Sequence, residues 1–135
     1  MTASPGGLKM VIMVKVLVID DSRVMTLYLR RVLEPHYVIE EWLPPSAMEI
    51  GAHILESAPD VVLTDYQMPG CSGATVARMV MKARPGLPVI VITSTRDEDV
   101  AATLRKFQVV EILHKPVSSE TLLAAVARAV ALPTA

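Results

Sequence analysis

Cysteine is nearly absent. With only Cys71 in 135 residues, no disulfide can form within the chain, which suits a reducing cytosol. No matched His and Asn/Asp arrangement accompanies it, so Cys71 reads as a small side chain near a helix start rather than a nucleophile. Aromatics are scarce, 4% against 52% hydrophobic residues, and this leaves a core of Val, Ile, Leu, Ala and Met. Neither charge sign is in excess: 13 Lys and Arg face 14 Asp and Glu, for a net charge of -1. That balance gives no electrostatic reason to expect nucleic-acid binding, and no run of like charge forms an interaction tail. A long apolar run is missing too. Met10–Ile19 reaches about half of what a spanning helix needs, and Lys15 interrupts it. No small-residue cleavage site follows it. A buried strand in a soluble, cytoplasmic protein is the expectation.

What the chain does have is alternation. Short Val- and Ile-rich runs, bounded by turns, alternate with amphipathic stretches about five times. This is the pattern of strands buried on both faces of a sheet. Strands are predicted at 15–19, 37–41, 60–64, 88–92 and 111–114. Helices are predicted at 22–34, 46–57, 74–83, 98–108 and 118–131. Ser22 is a plausible cap for the first helix, and Pro35 ends it. Pro44-Pro45 precedes the second helix, which contains Gly51. Ser118 or Ser119 caps the last. Strand–helix alternation implies an α/β fold: a parallel sheet with right-handed crossovers and helices on both faces. Without repeats, low-complexity tracts or linkers, residues 13–131 make one domain. Residues 1–12, with Pro5-Gly6-Gly7, read as a flexible leader, and 132–135 as a tail. A product starting at Met13 would lose no predicted element.

Chemistry-bearing residues stand at the carboxyl ends of four of these strands. Asp20-Asp21 follow Val16–Ile19, Asp65 follows Val61–Thr64, Thr93 follows Val89–Ile92, and Lys115-Pro116 follow Ile112–His114. In open α/β sheets, ligands bind in the crevice outside these ends. Three carboxylates close together repel, so a cation is needed to keep them ionised, and Mg²⁺ takes a few oxygen ligands plus waters. A hydroxyl and a lysine beside them suit a phosphoryl group, whose transfer depends on positioning and charge neutralisation. Plainer roles exist for each. Asp20 or Asp21 could cap the following helix, as could Thr93, Ser94, Thr95 or Asp97 the fourth; Asp65 could open a loop, and Lys115 could be a solvated loop lysine. His36, His53 and His114 do not cluster at metal-ligand spacing, and strand alternation turns His114 away from the strand-end site. Trp42, past the second strand, is expected to be partly buried.

The segments VLVIDDS (16–22), VVLTDYQMPG (61–70), VIVITS (89–94) and ILHKP (112–116) together resemble the receiver domain of bacterial two-component response regulators, of the stand-alone chemotaxis-regulator kind, over residues 13–131. The resemblance implies a flavodoxin-like, doubly wound (βα)5 fold with strand order 2-1-3-4-5. It implies Asp65 as phosphoacceptor and Asp20, Asp21, Asp65 and the backbone carbonyl of Gln67 as the Mg²⁺ site. Lys115 would pair with Asp65 and then with the phosphoryl oxygens, and Thr93 would hydrogen-bond a phosphoryl oxygen. A cis peptide before Pro116 is implied as well. So is a sensor histidine kinase or histidine phosphotransfer protein as donor. Output would pass to another protein, or to self-association, through the face of the fourth helix, fifth strand and fifth helix.

The chain departs from that pattern at three places. Ile112 stands where the family often has an aromatic ring that swings inward with the Thr. Gln108-Val109 replace a small Gly-Ala pair, and Val117 replaces a frequent Phe. All border the output face, so switching through Thr93 and Ile112 is expected to be weaker or to use different packing. Gln67 and Thr95 flank the path of attacking water in the family. Two other functions compete with a phosphorylation switch. One is a phosphorylation-independent interaction module, which the complete acidic site argues against and Ile112 leaves open. The other is a Mg²⁺-dependent aspartyl phosphohydrolase, which would need an Asp-x-Asp after the first strand and a cap segment. A flavodoxin-like cofactor binder is disfavoured because no Gly-rich phosphate loop follows the first strand.

Overall fold

The apolar runs become five parallel strands, β1 (Lys15–Ile19), β2 (Val38–Glu41), β3 (Val61–Asp65), β4 (Val89–Thr93) and β5 (Val109–His114), in the spatial order β2-β1-β3-β4-β5. This is a computed structural model, and it describes residues 13–132. The expected leader 1–12 and the end of the expected tail, 133–135, lie outside the described residues. Five helices connect and follow the strands: α1 (Arg23–Leu33), α2 (Ile50–Ser57), α3 (Gly73–Ala83), α4 (Glu98–Lys106) and α5 (Ser119–Val130). The strand order reverses at β1, so the chain's first and third strands flank the switch point where such sheets bind ligands.

Strand periodicity sorts the core into two layers. Val16, Val18, Val61, Leu63, Ile90, Ile92 and Leu113 meet Leu29 and Leu33 of α1 and Leu122, Ala125 and Val126 of α5. Their neighbours Leu17, Ile19, Val62, Val89, Val91 and Val109 meet Ile50 and Ile54 of α2, Val76 and Val80 of α3, and Leu104 of α4. Side chains such as Leu17, Leu63 and Ile90 are wholly buried, and each contributes about 1.5–3 kcal/mol over its exposed state. The sheet is therefore a rigid platform, with its carboxyl edge left for polar residues.

Local differences from the sequence expectation have local causes. The second helix does not begin at Ser46: Ala47–Glu49 form a 3-10 turn before α2. Ser46 makes no capping bond, so the first turn tightens instead, with Glu49 N–H donating to the Ser46 carbonyl at 3.2 Å. Helix α4 stops at Lys106, two residues early, because Gln108 takes a left-handed conformation, φ 66°. Strand β5 starts two residues early, at Val109. Its pairing with β4 slips between Val89–Val109 and Ile90–Glu111, leaving Val110 as a bulge. Ser22 caps α1, Asp97 caps α4 and Ser118 caps α5.

Candidate functional site

The ends of β1 and β3 and the loop after β5 bring Asp20, Asp21, Asp65 and Lys115 together, and Thr93 at the end of β4 adjoins Lys115 through the backbone. Ile19 is fully buried, so the chain leaves the core at Asp20 with its carboxylate over the sheet edge. Ser22 takes the capping role, accepting from Met25 N–H at 3.2 Å, which frees the aspartates from it. Asp20 Oδ1 accepts from Ser22 N–H at 2.8 Å. Asp20 Oδ2 is buried without a hydrogen-bond partner among the described residues. Asp21 is exposed, whereas Asp65 is only 5% exposed. One oxygen from each of Asp20, Asp21 and Asp65 lies within 4.8 Å of the others. Burial pushes the Asp20 carboxyl above its ordinary value; the Ser22 N–H opposes this, Asp65 adds to it, Lys115 opposes it and Asp21 adds to it.

Lys115 answers this charge. Its Nζ stands 2.9 Å from Asp65 Oδ1. Its backbone N–H donates to the Thr93 carbonyl at 2.9 Å, tying the loop after β5 to the end of β4. The Lys115–Pro116 peptide is cis. Thr93 is buried, and its Oγ1 accepts from Thr95 N–H at 3.1 Å, so the hydroxyl proton remains available to donate elsewhere. Gln67 lies two residues past Asp65 in the loop to α3, its side chain exposed.

Buried polar atoms are rarely left unpaired. An orphaned Asp20 oxygen among three carboxylates therefore fits a hard cation, and an all-oxygen donor set fits Mg²⁺ better than a thiolate- or imidazole-seeking metal. None of the three histidines joins this cluster.

Gly73, at the start of α3, also shapes the site. A Cβ there would lie 2.8 Å from the Asp65 carbonyl oxygen and 2.9 Å from Tyr66 Cα. Its N–H donates to the Tyr66 carbonyl at 2.7 Å. The start of α3 thus presses against the strand end that carries Asp65, at a distance only glycine permits.

Two of the recesses among the described residues adjoin the site. One, of about 230 Å³, is lined by Asp20, Asp21, Arg23, Thr26, Glu41, Trp42 and Leu43. Trp42 is half-buried and stacks on the His53 ring at 3.8 Å, and His53 Nε2 lies 2.9 Å from Glu40. The other, a groove of about 480 Å³ between α4 and β5, includes Thr93, Thr95, Ile112 and His114. Ile112 is half-buried there against the α4 layer. Cys71 is half-buried, and burial pushes its thiol up, away from reactivity.

A doubly wound parallel sheet with a carboxylate cluster and an ion-paired lysine at its carboxyl edge places the chain in the α/β class that binds ligands at strand ends. The particular family follows from comparison with known proteins. The model of the response regulator receiver domain matches residues 16–127, and the chain belongs to that family. It is 32% identical over 106 residues to a protein-glutamate methylesterase/protein-glutamine glutaminase of Rhodospirillum rubrum, covering 77% of this chain and 28% of that one. It is 32% identical over 117 residues to the DNA-binding transcriptional regulator NtrC of Escherichia coli, covering 84% of this chain and 24% of that one. The chain thus spans about a quarter of the curated relatives it matches. Among solved structures, a receiver domain protein of Clostridium thermocellum is 32% identical with a TM-score of 0.75, covering 87% of this chain and 94% of that one. The response regulator domain of Thermotoga maritima CheB shares the fold, with a TM-score of 0.76 at 24% identity over 90% of this chain and 98% of that one.

Proposed function

We propose that the chain is a phosphoacceptor switch: a Mg²⁺-dependent receiver whose Asp65 takes a phosphoryl group from a histidine kinase or histidine phosphotransfer protein. The observation that carries this is the Asp65–Lys115 pair at 2.9 Å beside the orphaned Asp20 oxygen. Asp20, Asp21, Asp65 and the Gln67 carbonyl would hold the cation, which when bound neutralises charge on the phosphoryl oxygens.

The residues' own part is as follows. An Asp65 carboxylate oxygen attacks phosphorus, forming an O–P bond as the P–N bond to the donor imidazole breaks. The imidazole leaves with that electron pair and is protonated from solvent. Lys115 holds Asp65 before transfer and meets the spreading negative charge on the phosphoryl oxygens during it. The Thr93 hydroxyl donates to one of those oxygens, drawing the end of β4 toward the site. Ile112 borders the same groove as Thr93, so its repacking would relay the movement to the face of α4, β5 and α5. A partner that prefers one packing, or a second copy, would read the shift. On this reading the chain is a cytoplasmic signalling domain that assists its own phosphorylation and dephosphorylation, not a turnover enzyme.

Intact mass after incubation with acetyl phosphate, with and without Mg²⁺, tests this. A single Mg²⁺-dependent phosphoryl adduct that Asp65→Asn abolishes is expected. Folded wild-type protein that takes no adduct, even when sampled at early times, would refute it and favour a phosphorylation-independent interaction module.

A further inference from the structure

The loop that carries Lys115 has few anchors for a segment that must place an ammonium within 2.9 Å of Asp65. On its upstream side, Lys115 N–H is tied to β4. On its downstream side, Ser118 opens α5 and its carbonyl accepts from Leu122 N–H at 3.0 Å. Between them, Pro116 has no N–H to give. Among the described residues, a further tie comes from α1, across 89 residues of sequence. The Tyr28 phenol donates to the Val117 carbonyl at 2.6 Å, a short and favourable O–H···O distance.

Tyr28 is well placed to act as a strut. Its ring is half-buried against the α1/α5 core layer, to which buried Val117 also belongs. Leu29 and Leu33 hold α1 to the sheet through that same layer. The first turn of α1 is fixed at Ser22, whose N–H binds Asp20. One rigid helix therefore touches both sides of the crevice: the acidic pair at its start, and the lysine loop one and a half turns later.

We propose that Tyr28 is a positioning residue for phosphoryl transfer, its hydroxyl holding the Val117 carbonyl so that the lysine two residues earlier meets Asp65. This rests on the reading of Asp65 as phosphoacceptor. Tyr28→Phe keeps the ring and removes only the donor. Losing one such hydrogen bond is expected to slow modification of Asp65 by acetyl phosphate roughly three- to tenfold at saturating Mg²⁺. Mg²⁺ affinity should stay within about twofold, because no ligand is touched.

The decisive experiment is a double-mutant cycle, with rates taken from intact-mass time courses and folding checked by a cooperative melt for each variant. In a Lys115→Ala background, Tyr28→Phe should cost nothing further, since the side chain it positions is gone. An equal fold-loss in both backgrounds would overturn the proposal and mark a general structural role. So would an unchanged rate for Tyr28→Phe in a wild-type chain that does take the phosphoryl group. A wild-type chain that takes none would instead overturn the phosphoacceptor reading, and this proposal with it.

Discussion

Replacing Asp20 by asparagine should make the metal-free protein more stable, although it removes an ionised group from the candidate site. Asp20 shares its cluster with Asp21 and Asp65, with ligand atoms at or inside 4.8 Å. At an effective dielectric of about 20, each such pair repels by about 3.5 kcal/mol. Lys115, bound to Asp65, cancels part of this, and water around exposed Asp21 screens more. A net gain of about 1–3 kcal/mol remains, a rise of roughly 4–12 °C in the unfolding midpoint for a domain of this size. Local geometry favours the change as well. Asparagine keeps an oxygen for the Ser22 N–H and puts an N–H₂ where Oδ2 has no partner.

Paired thermal and urea unfolding in EDTA at neutral pH measures the difference. The pH dependence has a definite sign. Burial raises the Asp20 carboxyl above 3.8 in the folded state, so its ionised form is a strain that is fully present above the folded pKa. As pH falls from that pKa toward 3.8, the wild type takes up a proton, comes to match asparagine, and the gap closes. Mg²⁺ closes it from the other side: at a hundredfold excess over Kd it adds about 2.7 kcal/mol to the protein that binds it. If Asp20→Asn proved less stable than wild type in EDTA, the three carboxylates would not be a mutually repelling cluster, and the reasoning would fail.

Gly73→Ala should destabilise by about 1–3 kcal/mol despite alanine's better helix propensity, because the added methyl meets backbone at Asp65 and Tyr66; urea unfolding measures it. Gln108→Gly should stabilise by about 0.5–1 kcal/mol, since Gln108 sits at φ 66°, and an unmoved or lowered midpoint would refute this. Trp42 is the chain's one tryptophan and lines the recess shared with Asp20 and Asp21. Its fluorescence should therefore change on Mg²⁺ titration, and the response should disappear in Asp21→Asn.

Features fixed by periodicity or by position at a strand end were legible from residues alone. Alternate burial of Val16 and Leu17 on opposite faces is what a two-sided strand requires, and it made β1 readable. Asp20, Asp21, Asp65 and Lys115 stand together because parallel strands all deliver their carboxyl ends to one edge, a placement that position along the chain already suggests. What escaped was set by tertiary contact. The bulge at Val110 exists only in relation to β4, the tight approach of Gly73 only in relation to the backbone after Asp65, and the Tyr28–Val117 bond spans 89 residues. The 3-10 turn at Ala47–Glu49 reflects a cap that Ser46 had the chemistry to supply but did not.

The bulge at Val110 also bears on the edge of the sheet. Among the described residues the sheet ends in β2 and β5, each a row of backbone groups that another strand could pair with. The β2 edge is four residues long and ends in Glu40 and Glu41, a charged stop against a like neighbour. The β5 edge begins with Val109-Val110, an apolar β-branched pair and the better template for unwanted growth. A straight strand there would offer a regular ladder to a second chain. With Val110 bulged against β4, the strand departs from a regular ladder where its sequence is most apolar, the kind of irregularity that makes an edge a poorer template.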